Sequence, residues 1–394
     1  MNCDVLVVGA GPAGSMAAKT TAERGINTIL IERNKTIGYP VRCAEGINKF
    51  LFQDTGIKKD NSFIEQEING TKVYFYNEIY KLNSEQWKGY TVDRTIFDKY
   101  LAKLAEKAGS KIFTDTKAVG LKKDNNRWIV KIKTKKQYYN SIEAKIVIGA
   151  DGFECNLGKW AGIRTKWNEN EVCKCYELLL DCPNLKESDK FHMAFGEEFP
   201  MGYAWIFPKR KKANVGVGTT KKVNTTKALD FFINKYPKVD NILGRNYSII
   251  EKRGGGIPMS GPKNIDETVS DGIILAGDAA GMVDPITGEG ISFSMLSGIS
   301  AGEAAAIGIE RKEWNKKVLS IYEEIWRNKE FLGGNPLGEE FYMLKNIKDI
   351  FYHIFTHKTV STSTRESLIS TLSLENEEDI IQSIDDLKRK FRIS

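Results

Sequence analysis

Near the start of the chain, three glycines (Gly9, Gly11 and Gly14) have the spacing G-x-G-x-x-G, which is the first feature of the sequence that indicates a binding function. An apolar strand precedes them and a helix follows, and in that context the free N–H groups of the helix N-terminus bind a dinucleotide pyrophosphate. Gly9 permits the tight turn, Gly11 leaves room for the phosphates, and Gly14 lets the helix pack closely on the strand. Glu32 ends the next strand, where a carboxylate accepts hydrogen bonds from ribose hydroxyls and repels a 2′-phosphate.

Two later glycine-rich segments predict that the dinucleotide is FAD rather than NAD. Gly149-Ala150-Asp151-Gly152 closes a buried strand, and Gly277-Asp278-Ala279-Ala280-Gly281 follows another strand. Asp278 places a carboxylate where the ribityl chain of a flavin offers hydroxyl donors. A helix that begins near Gly290 can aim its N-terminal amides at the electron-rich edge of the flavin ring. The three motifs in this order indicate FAD.

These motifs must be positioned by an α/β fold. A βαβ unit opens the chain, with a strand at 4–8, a helix at 13–24 and a strand at 28–31. Between about 163 and 253 the sequence changes to short strand-like segments rich in aromatic residues, which predicts an antiparallel sheet. We therefore expect a Rossmann-like FAD-binding domain, an antiparallel-sheet substrate domain and C-terminal helices. The predicted bounds are 1–162 and 254–310 for the two parts of the FAD-binding domain, 163–253 for the substrate domain and 311–394 for the helical region.

Composition and charge narrow the function classes. The chain has 58 basic and 51 acidic residues, mostly intermixed, and a net charge of +7, so nucleic acid is not an expected partner. It shows neither an apolar run of about 18 residues nor a basic leader, which predicts a cytoplasmic protein without a spanning helix. Cys173 and Cys175 share one strand face without a second close pair to complete four ligands, and His353 and His357 lack a third ligand. No metal site is predicted.

A further feature is the alternation at Tyr203, Trp205 and Phe207, which puts three aromatic rings on one face of a strand. Such a face can wall a dry cavity beside a flavin. Ordinary packing between a sheet and a helix produces the same pattern, and the residues alone leave both interpretations open.

The three FAD motifs, with Val92-Asp93-Arg94 before a helix, resemble the para-hydroxybenzoate hydroxylase type of flavoprotein. Residues 38–46 (GYPVRCAEG), 203–209 (YAWIFPK) and 284–291 (DPITGEGI) resemble the geranylgeranyl reductase family within that group, particularly its archaeal digeranylgeranylglycerophospholipid reductases. The resemblance extends from residue 1 to about 310. Together with the motif glycines and Asp151, the FAD contacts that it implies are Ala13, Glu32, Arg42, Cys43, Ala44, Gly46, Arg94, Ala118, Asp278, Gly288, Gly290 and Ile291.

The chain departs from this family at Glu289, where family members commonly have glycine. The departure places a carboxylate near the expected flavin edge. The simpler interpretation is a favourable charge in the first turn of a helix, worth about 0.3–1 kcal/mol.

The resemblance implies an FAD-dependent reductase that saturates C=C bonds of geranylgeranyl chains in archaeal-type ether lipids, by hydride transfer from reduced flavin and protonation. It places Cys43 beside the flavin as a positioning or proton-relay residue, and the alternation described above makes Tyr203 and Trp205 candidates for the wall of the alkene cavity. The expected partners are a prenylated lipid and an electron donor, either ferredoxin or NAD(P)H. Peripheral membrane contact is expected through the basic cluster 209–212, at about 1 kcal/mol per charge near an anionic surface.

Two other function classes remain open. An FAD-dependent aromatic hydroxylase or halogenase has the same fold, and residues 203–208 are similar to the halogenase pattern W-x-W-x-I-P except that its first tryptophan is missing. A prenyl-binding escort that resembles GDP-dissociation inhibitors would perform no redox chemistry. Such an escort would lack flavin contacts, whereas Glu32, Asp278 and the glycines are present in this chain.

Overall fold

The computed structural model describes residues 1–134, 140–163, 167–261 and 268–373, together with residues 382, 383, 386 and 389. Its strands, in chain order, are β1 (Asn2–Val8), β2 (Thr28–Ile31), β3 (Gly46–Asn48), β4 (Ile64–Ile68), β5 (Thr71–Phe75), β6 (Glu78–Leu82), β7 (Gly89–Val92), β8 (Lys111–Phe113), β9 (Thr116–Asp124), β10 (Arg127–Thr134), β11 (Ser141–Gly149), β12 (Val172–Asp181), β13 (Phe191–Phe195), β14 (Gly202–Lys209), β15 (Lys212–Thr219), β16 (Ser248–Pro258), β17 (Val269–Ser270), β18 (Ile273–Leu275), β19 (Glu330–Phe331) and β20 (Asn335–Pro336). Its helices are α1 (Pro12–Glu23), α2 (Leu51–Thr55), α3 (Arg94–Lys107), α4 (Asn156–Trp160), α5 (Thr225–Lys235), α6 (Val239–Leu243), α7 (Ile291–Arg311), α8 (Lys316–Leu319), α9 (Ile321–Arg327), α10 (Leu337–Thr356) and α11 (Thr362–Thr371).

A largely parallel sheet forms the first layer, and its central strands are apolar on both faces because helices cover it. β1 pairs in parallel with β2 and β11, and β11 pairs in parallel with β18. The strand order is β17-β18-β11-β1-β2-β8, with β10 joining β11 to β9. The predicted βαβ unit is confirmed, since β1, α1 and β2 lie within two residues of the expected bounds. In such sheets ligands bind beyond the carboxyl ends of the strands.

The second sheet has the order β16-β12-β15-β14-β13-β5-β6. Its neighbouring strands are antiparallel, except that β13 and β5 run parallel. β5 and β6 come from the segment that we expected in the FAD-binding part, and β16 continues past residue 253. The expected boundaries at residues 162 and 253 therefore do not separate the two sheets, because a local pattern identifies a strand but not its partner.

Alternation along the strands gives the second sheet two different faces. One face packs against α5 and α6 and buries Leu180, Ile206 and Val215. The other face buries Met193 and Phe195 against α10 and α11. Two helices of the region that was predicted after residue 311, α10 and α11, thus complete the core of the second sheet, whereas α8 and α9 pack in the core of the first. Within the described residues, no helix combines the length and the apolar character that crossing a bilayer requires.

Candidate active site

A cavity of about 770 Å³ lies between the carboxyl ends of the parallel strands, the inner face of the second sheet and α10. Its lining includes Gly11 and Glu32 in one region, and Glu177, Trp205 and Ile347 in another. We call the region around Gly11 and Glu32 the nucleotide end, and the region around Glu177 and Trp205 the substrate end. One cavity therefore connects the predicted dinucleotide site with the predicted aromatic wall.

The three glycines of the first motif have three different surroundings. Gly9 has a φ of +102°, and a Cβ there would lie 2.2 Å from the Ala150 carbonyl oxygen. A Cβ on Gly14 would lie 1.8 Å from the Gly9 carbonyl oxygen, so only glycine allows this approach between helix and strand. A Cβ on Gly11 would meet no atom within 4 Å, although Gly11 lines the cavity at the start of α1. This open space suits a phosphate group at the helix N-terminus.

Glu32 is buried just after β2, and hydrogen bonds fix its carboxylate. Oε2 accepts a hydrogen bond from the Ala10 N–H at 3.0 Å. Oε1 accepts hydrogen bonds from the backbone and side-chain amides of Asn34, both at 2.8 Å. Because each carboxylate oxygen has more than one acceptor site, Glu32 can still accept a bond from a ribose hydroxyl in the cavity.

Asp278 lies on the cavity wall in the turn Gly277–Ala280, directly after β18. Its Oδ1 is 3.5 Å from the position that a Cβ on Gly290 would take, and it therefore lies next to the start of α7. Burial raises the pKa of Asp278 to about 6, although the positive charge of Arg94 opposes this rise. The arrangement offers an acceptor for hydroxyl groups next to the positive end of the α7 helix dipole, which suits an anionic ring edge.

Cys43 lines the cavity beside a fixed guanidinium group. Arg94 forms a bidentate ion pair with Asp98 one turn further along α3, with distances of 2.6 and 2.7 Å. Burial raises the pKa of the Cys43 thiol, while the charge of Arg94 and the Glu45 N–H, which donates to Sγ at 3.2 Å, lower it. The net rise keeps the proton on the thiol at neutral pH.

Glu45 forms a buried ion-pair network next to Cys43. Its Oε2 accepts hydrogen bonds from Lys209 Nζ at 2.7 Å and from the Arg253 guanidinium at 3.0 Å. Its Oε1 accepts a hydrogen bond from the Arg94 backbone N–H at 3.0 Å. This network joins the segment around Cys43 to β14 and β16 of the second sheet, so it holds the loop that carries Cys43 against the substrate end.

Lys209 was expected to belong to a basic surface cluster that contacts membranes, and this expectation is wrong. The side chain lies at the end of β14, only 5% exposed, because it turns inward to the Glu45 carboxylate. Arg210, Lys211 and Lys212 remain exposed.

The predicted aromatic strand faces the cavity, which Tyr203, Trp205 and Phe207 all line. Trp205 is 5% exposed, and its Nε1–H donates a hydrogen bond to Asn214 Oδ1 at 2.8 Å. The Tyr203 hydroxyl donates to the Thr287 carbonyl oxygen. The polar atoms of both side chains are therefore paired, and their rings add apolar surface to the wall.

β12 adds three further side chains to this wall. Cys173, Cys175 and Glu177 follow the two-residue repeat of a strand, and all three line the cavity. The two sulfur atoms are 3.7 Å apart and both thiols are free. Glu177 is 4% exposed, and its Oε1 lacks a hydrogen-bond partner within the described part of the chain. Motif-based reasoning missed Glu177, although one more step of the Cys173-Cys175 alternation leads to it.

Sequence reasoning also missed the contribution of α10. Met343, Ile347, Phe351 and Tyr352 of this helix line the cavity. Their spacing identifies one apolar helix face, but it does not indicate what that face contacts. Within the described residues, no three histidine, cysteine or acidic side chains are grouped so that they could hold a metal ion.

Glu289 lies just before α7 and lines the cavity. Its Oε1 accepts a hydrogen bond from the Ser292 backbone N–H at 2.9 Å, which is the favourable helix-start position expected for a carboxylate. Burial raises the pKa of Glu289 to about 7. At neutral pH, the Glu289 carboxyl group is therefore protonated in a fraction of the molecules.

The remaining predicted FAD contacts divide into two groups. The residues that line the cavity are Ala13, Arg42, Ala44, Gly46, Arg94, Gly288, Gly290 and Ile291. Asp151 also lines it, but Oδ2 accepts the Leu157 N–H at 3.0 Å and so satisfies the start of α4. Ala118 lies on β9 against the core of the first sheet, outside the cavity lining.

The nucleotide end fits a flavin dinucleotide. The open space at Gly11, the fixed carboxylate of Glu32 and the carboxylate of Asp278 beside the start of α7 all lie on the wall of one cavity. Groups of these kinds suit the phosphate, ribose and polyol parts of such a ligand.

Comparison with known proteins agrees with this assessment. Residues 2–309 match the family of FAD binding domains. A digeranylgeranylglycerophospholipid reductase of Methanocaldococcus jannaschii is 39% identical over 331 residues, which are 83% of this chain and 83% of the relative. The crystal structure of a geranylgeranyl bacteriochlorophyll reductase-like protein from Thermoplasma acidophilum is 30% identical, with a TM-score of 0.84 over 99% of this chain and 98% of that chain. A halogenase in complex with phloroglucinol and FAD is 12% identical, with a TM-score of 0.72 over 98% of this chain and 83% of that chain, and is similar in fold alone.

Proposed function

The chain belongs to the family of FAD binding domains and, within it, to the digeranylgeranylglycerophospholipid reductases, and from this premise we propose that it uses FAD to saturate C=C bonds of geranylgeranyl chains in archaeal-type ether lipids. The observation that carries the proposal is that one cavity joins the nucleotide end to the apolar wall at the substrate end. The protein is thus an oxidoreductase that acts on CH–CH groups in membrane lipid biosynthesis.

We propose a division of binding roles along the nucleotide end. Gly11 and the start of α1 bind the pyrophosphate, Glu32 binds the adenosine ribose, and Asp278 binds the ribityl hydroxyls. The amides at the start of α7 contact the flavin ring. Bound FAD, once reduced, supplies the hydride for the reaction.

The substrate end must hold an alkene that lacks an activating carbonyl. Such a reaction needs exclusion of water and close positioning of the double bond. Tyr203 and Trp205 form one wall of the proposed alkene site, and Ile347 and Phe351 of α10 supply apolar surface to the same cavity. Cys43, with its thiol protonated, is proposed to position the substrate or to hold a proton at Sγ.

Substrate capture also involves the membrane in this proposal. Burial of a twenty-carbon chain at roughly 0.8 kcal/mol per CH₂ gives on the order of 15 kcal/mol relative to water, and a bilayer offers the lipid nearly the same gain. Affinity must therefore come from head-group contacts and surface docking. The exposed Arg210, Lys211 and Lys212 are suited to anionic lipid head groups.

Either ferredoxin or NAD(P)H serves as the electron donor.

The proposal is tested with purified protein reconstituted with FAD, reduced by dithionite and supplied with a geranylgeranylated ether lipid. Mass spectrometry should find products that have gained two hydrogens per reduced bond, and activity should fall as the prenyl chain is shortened. If a small aromatic acid is hydroxylated or halogenated while no prenyl lipid is saturated, the chain is an oxygen-using enzyme of the same fold instead.

A further inference from the structure

Glu177 is a buried carboxyl group that the binding roles proposed above leave unused. It lines the substrate end of the cavity and is 4% exposed. Its Oε1 makes no hydrogen bond to any residue that the structure describes. A buried polar atom without a hydrogen-bond partner lowers the stability of the fold, and such atoms often bind a ligand or a proton instead.

The neighbouring strand brings Glu177 against the aromatic wall. Gly216 lies opposite Glu177 in the register of β12 and β15. A Cβ on Gly216 would lie 2.2 Å from the Trp205 ring and 2.8 Å from the Glu177 Cβ. Because Gly216 has no side chain, the Glu177 carboxyl group and the Trp205 indole ring can lie in the same small region of the cavity. An alkene held by Trp205 would there be within reach of Glu177.

The charged and titratable groups around Glu177 do not form an ion pair with its carboxyl group. Arg253 lies opposite Glu177 on β16, but its donors bind the carboxylates of Glu45 and Glu251 at 2.8–3.0 Å. Cys43 and Cys175 also face Glu177, and both thiols have a raised pKa that keeps them neutral. Glu177 is thus without an ion-pair partner of its own among the described residues.

The balance of these effects matches the requirements of an acid catalyst. Burial, the largest cause, raises the pKa of Glu177 to about 7, and the charge of Glu45 adds to the rise. Arg253, the Asn214 side chain and the Cys43 backbone N–H act in the opposite direction. A catalytic acid is most effective when its pKa lies near the working pH. The Cys43 thiol, with its pKa above an ordinary value of about 8.5, is the weaker acid.

We propose that Glu177 is the catalytic acid that protonates the alkene, a role that rests on the proposed function. As the hydride adds to one alkene carbon, the O–H bond of the Glu177 carboxyl group breaks and its proton forms the C–H bond at the other carbon. The two electrons come from the reduced flavin, and Glu177 is left as a carboxylate. A proton from water restores the acid before the next turnover.

The kinetic test compares three variants in the dithionite-driven reduction of a geranylgeranyl lipid. Glu177→Gln keeps the shape of the side chain but has no acidic proton, so kcat should fall about 10²–10⁴-fold while FAD remains bound. Glu177→Asp should recover part of this loss. Glu198→Gln is the matched control, because Glu198 accepts a hydrogen bond from Tyr76 outside the cavity lining and should keep wild-type turnover.

A measurement independent of turnover is infrared difference spectroscopy of the FAD-loaded protein between pH 5 and 9. A carboxylic acid carbonyl band that titrates near pH 7 should weaken in Glu177→Gln and persist in Glu198→Gln. Turnover of Glu177→Gln within about threefold of wild type, or no difference between its infrared titration and that of wild type, would overturn the proposal. If the wild type saturates no prenyl lipid, the proposed function fails, and the infrared titration still decides whether Glu177 holds a proton.

Discussion

Among the buried glutamates that line the cavity, Glu32 and Glu177 have opposite surroundings. At the nucleotide end, Glu32 accepts three hydrogen bonds from N–H groups at 2.8–3.0 Å. At the substrate end, Glu177 has an oxygen without a partner among the described residues, and burial raises its pKa to about 7. The first environment fixes a hydrogen-bond acceptor, whereas the second favours the protonated form of the carboxyl group. The difference supports the cofactor-binding role that we propose for Glu32 and the proton-transfer role that we propose for Glu177.

The largest expected effect comes from reversing the charge at the nucleotide end. Glu32→Arg replaces the ribose acceptor with a buried cation and should weaken FAD binding by roughly 2–5 kcal/mol. Equilibrium titration with FAD, followed by flavin fluorescence, measures the loss. Glu23→Gln on the exposed side of α1 is the control and should bind FAD as the wild type does. Unchanged affinity of Glu32→Arg would remove Glu32 from the FAD site.

The second prediction concerns the pH dependence of stability. The pKa of Glu289 rises from an ordinary value of 4.5 to about 7 on folding, so the folded protein holds a proton that the unfolded chain has lost between these values. This proton stabilises the folded state below about pH 4.5. The free energy of unfolding therefore falls by on the order of 3 kcal/mol as the pH rises from about 4.5 to about 7.

Glu289→Gln removes this titration. The cofactor-free variant should gain melting temperature relative to wild type as the pH is raised from 5 to 8, as measured by calorimetry. Glu67→Gln, an exposed change on β4, should run parallel to the wild type. A constant difference between Glu289→Gln and wild type at all pH values would show that Glu289 is already ionised.

A third, smaller effect is expected at the aromatic wall. Trp205→Ala enlarges the substrate end and removes the ring that positions the alkene, and a misplacement of about 1 Å can lower turnover about a hundredfold. FAD affinity should stay within error of wild type, in contrast to Glu32→Arg. Trp160→Ala, at an exposed tryptophan outside the cavity lining, is the control. A loss of FAD affinity in Trp205→Ala as large as that in Glu32→Arg would contradict the separation of the two ends of the cavity.

The smallest predicted effect belongs to Cys43. Cys43→Ala should keep FAD and lower turnover by about tenfold, which corresponds to the loss of one positioning hydrogen bond. Cys182→Ala removes a thiol from the opposite face of the second sheet, away from the cavity, and should keep wild-type turnover. Steady-state rates with the geranylgeranyl lipid measure both. Wild-type turnover in Cys43→Ala would return Cys43 to a purely structural role.

The two ends of the cavity also differ in how far the sequence predicts them. Gly9, Gly11, Gly14 and Glu32 lie within one βαβ unit, and the positive φ of Gly9 and the close approach of Gly14 to Gly9 are features of this local backbone. A contiguous motif can therefore specify the turn, the helix start and the ribose acceptor. Gly11 and Glu32 line the cavity, whereas Ala118, which only the resemblance suggested, lies outside the lining.

The substrate end depends on contacts between distant segments. Glu177 on β12, Trp205 on β14 and Ile347 on α10 meet only after the second sheet and the C-terminal helix have packed. Alternation predicts which strand face each side chain occupies, but it does not predict the strand order or the surface opposite it. The inward turn of Lys209 likewise depends on Glu45, which lies 164 residues earlier in the chain.

The most direct test of the account is a single-turnover experiment that couples both ends of the cavity. The FAD-loaded protein is reduced without oxygen, freed of excess reductant and mixed with a geranylgeranyl ether lipid. We expect the absorption of oxidised flavin to return while one C=C bond is saturated for each flavin oxidised, as counted by mass spectrometry of the lipid. Flavin that stays reduced until oxygen is admitted, with the lipid unchanged, would contradict the central claim.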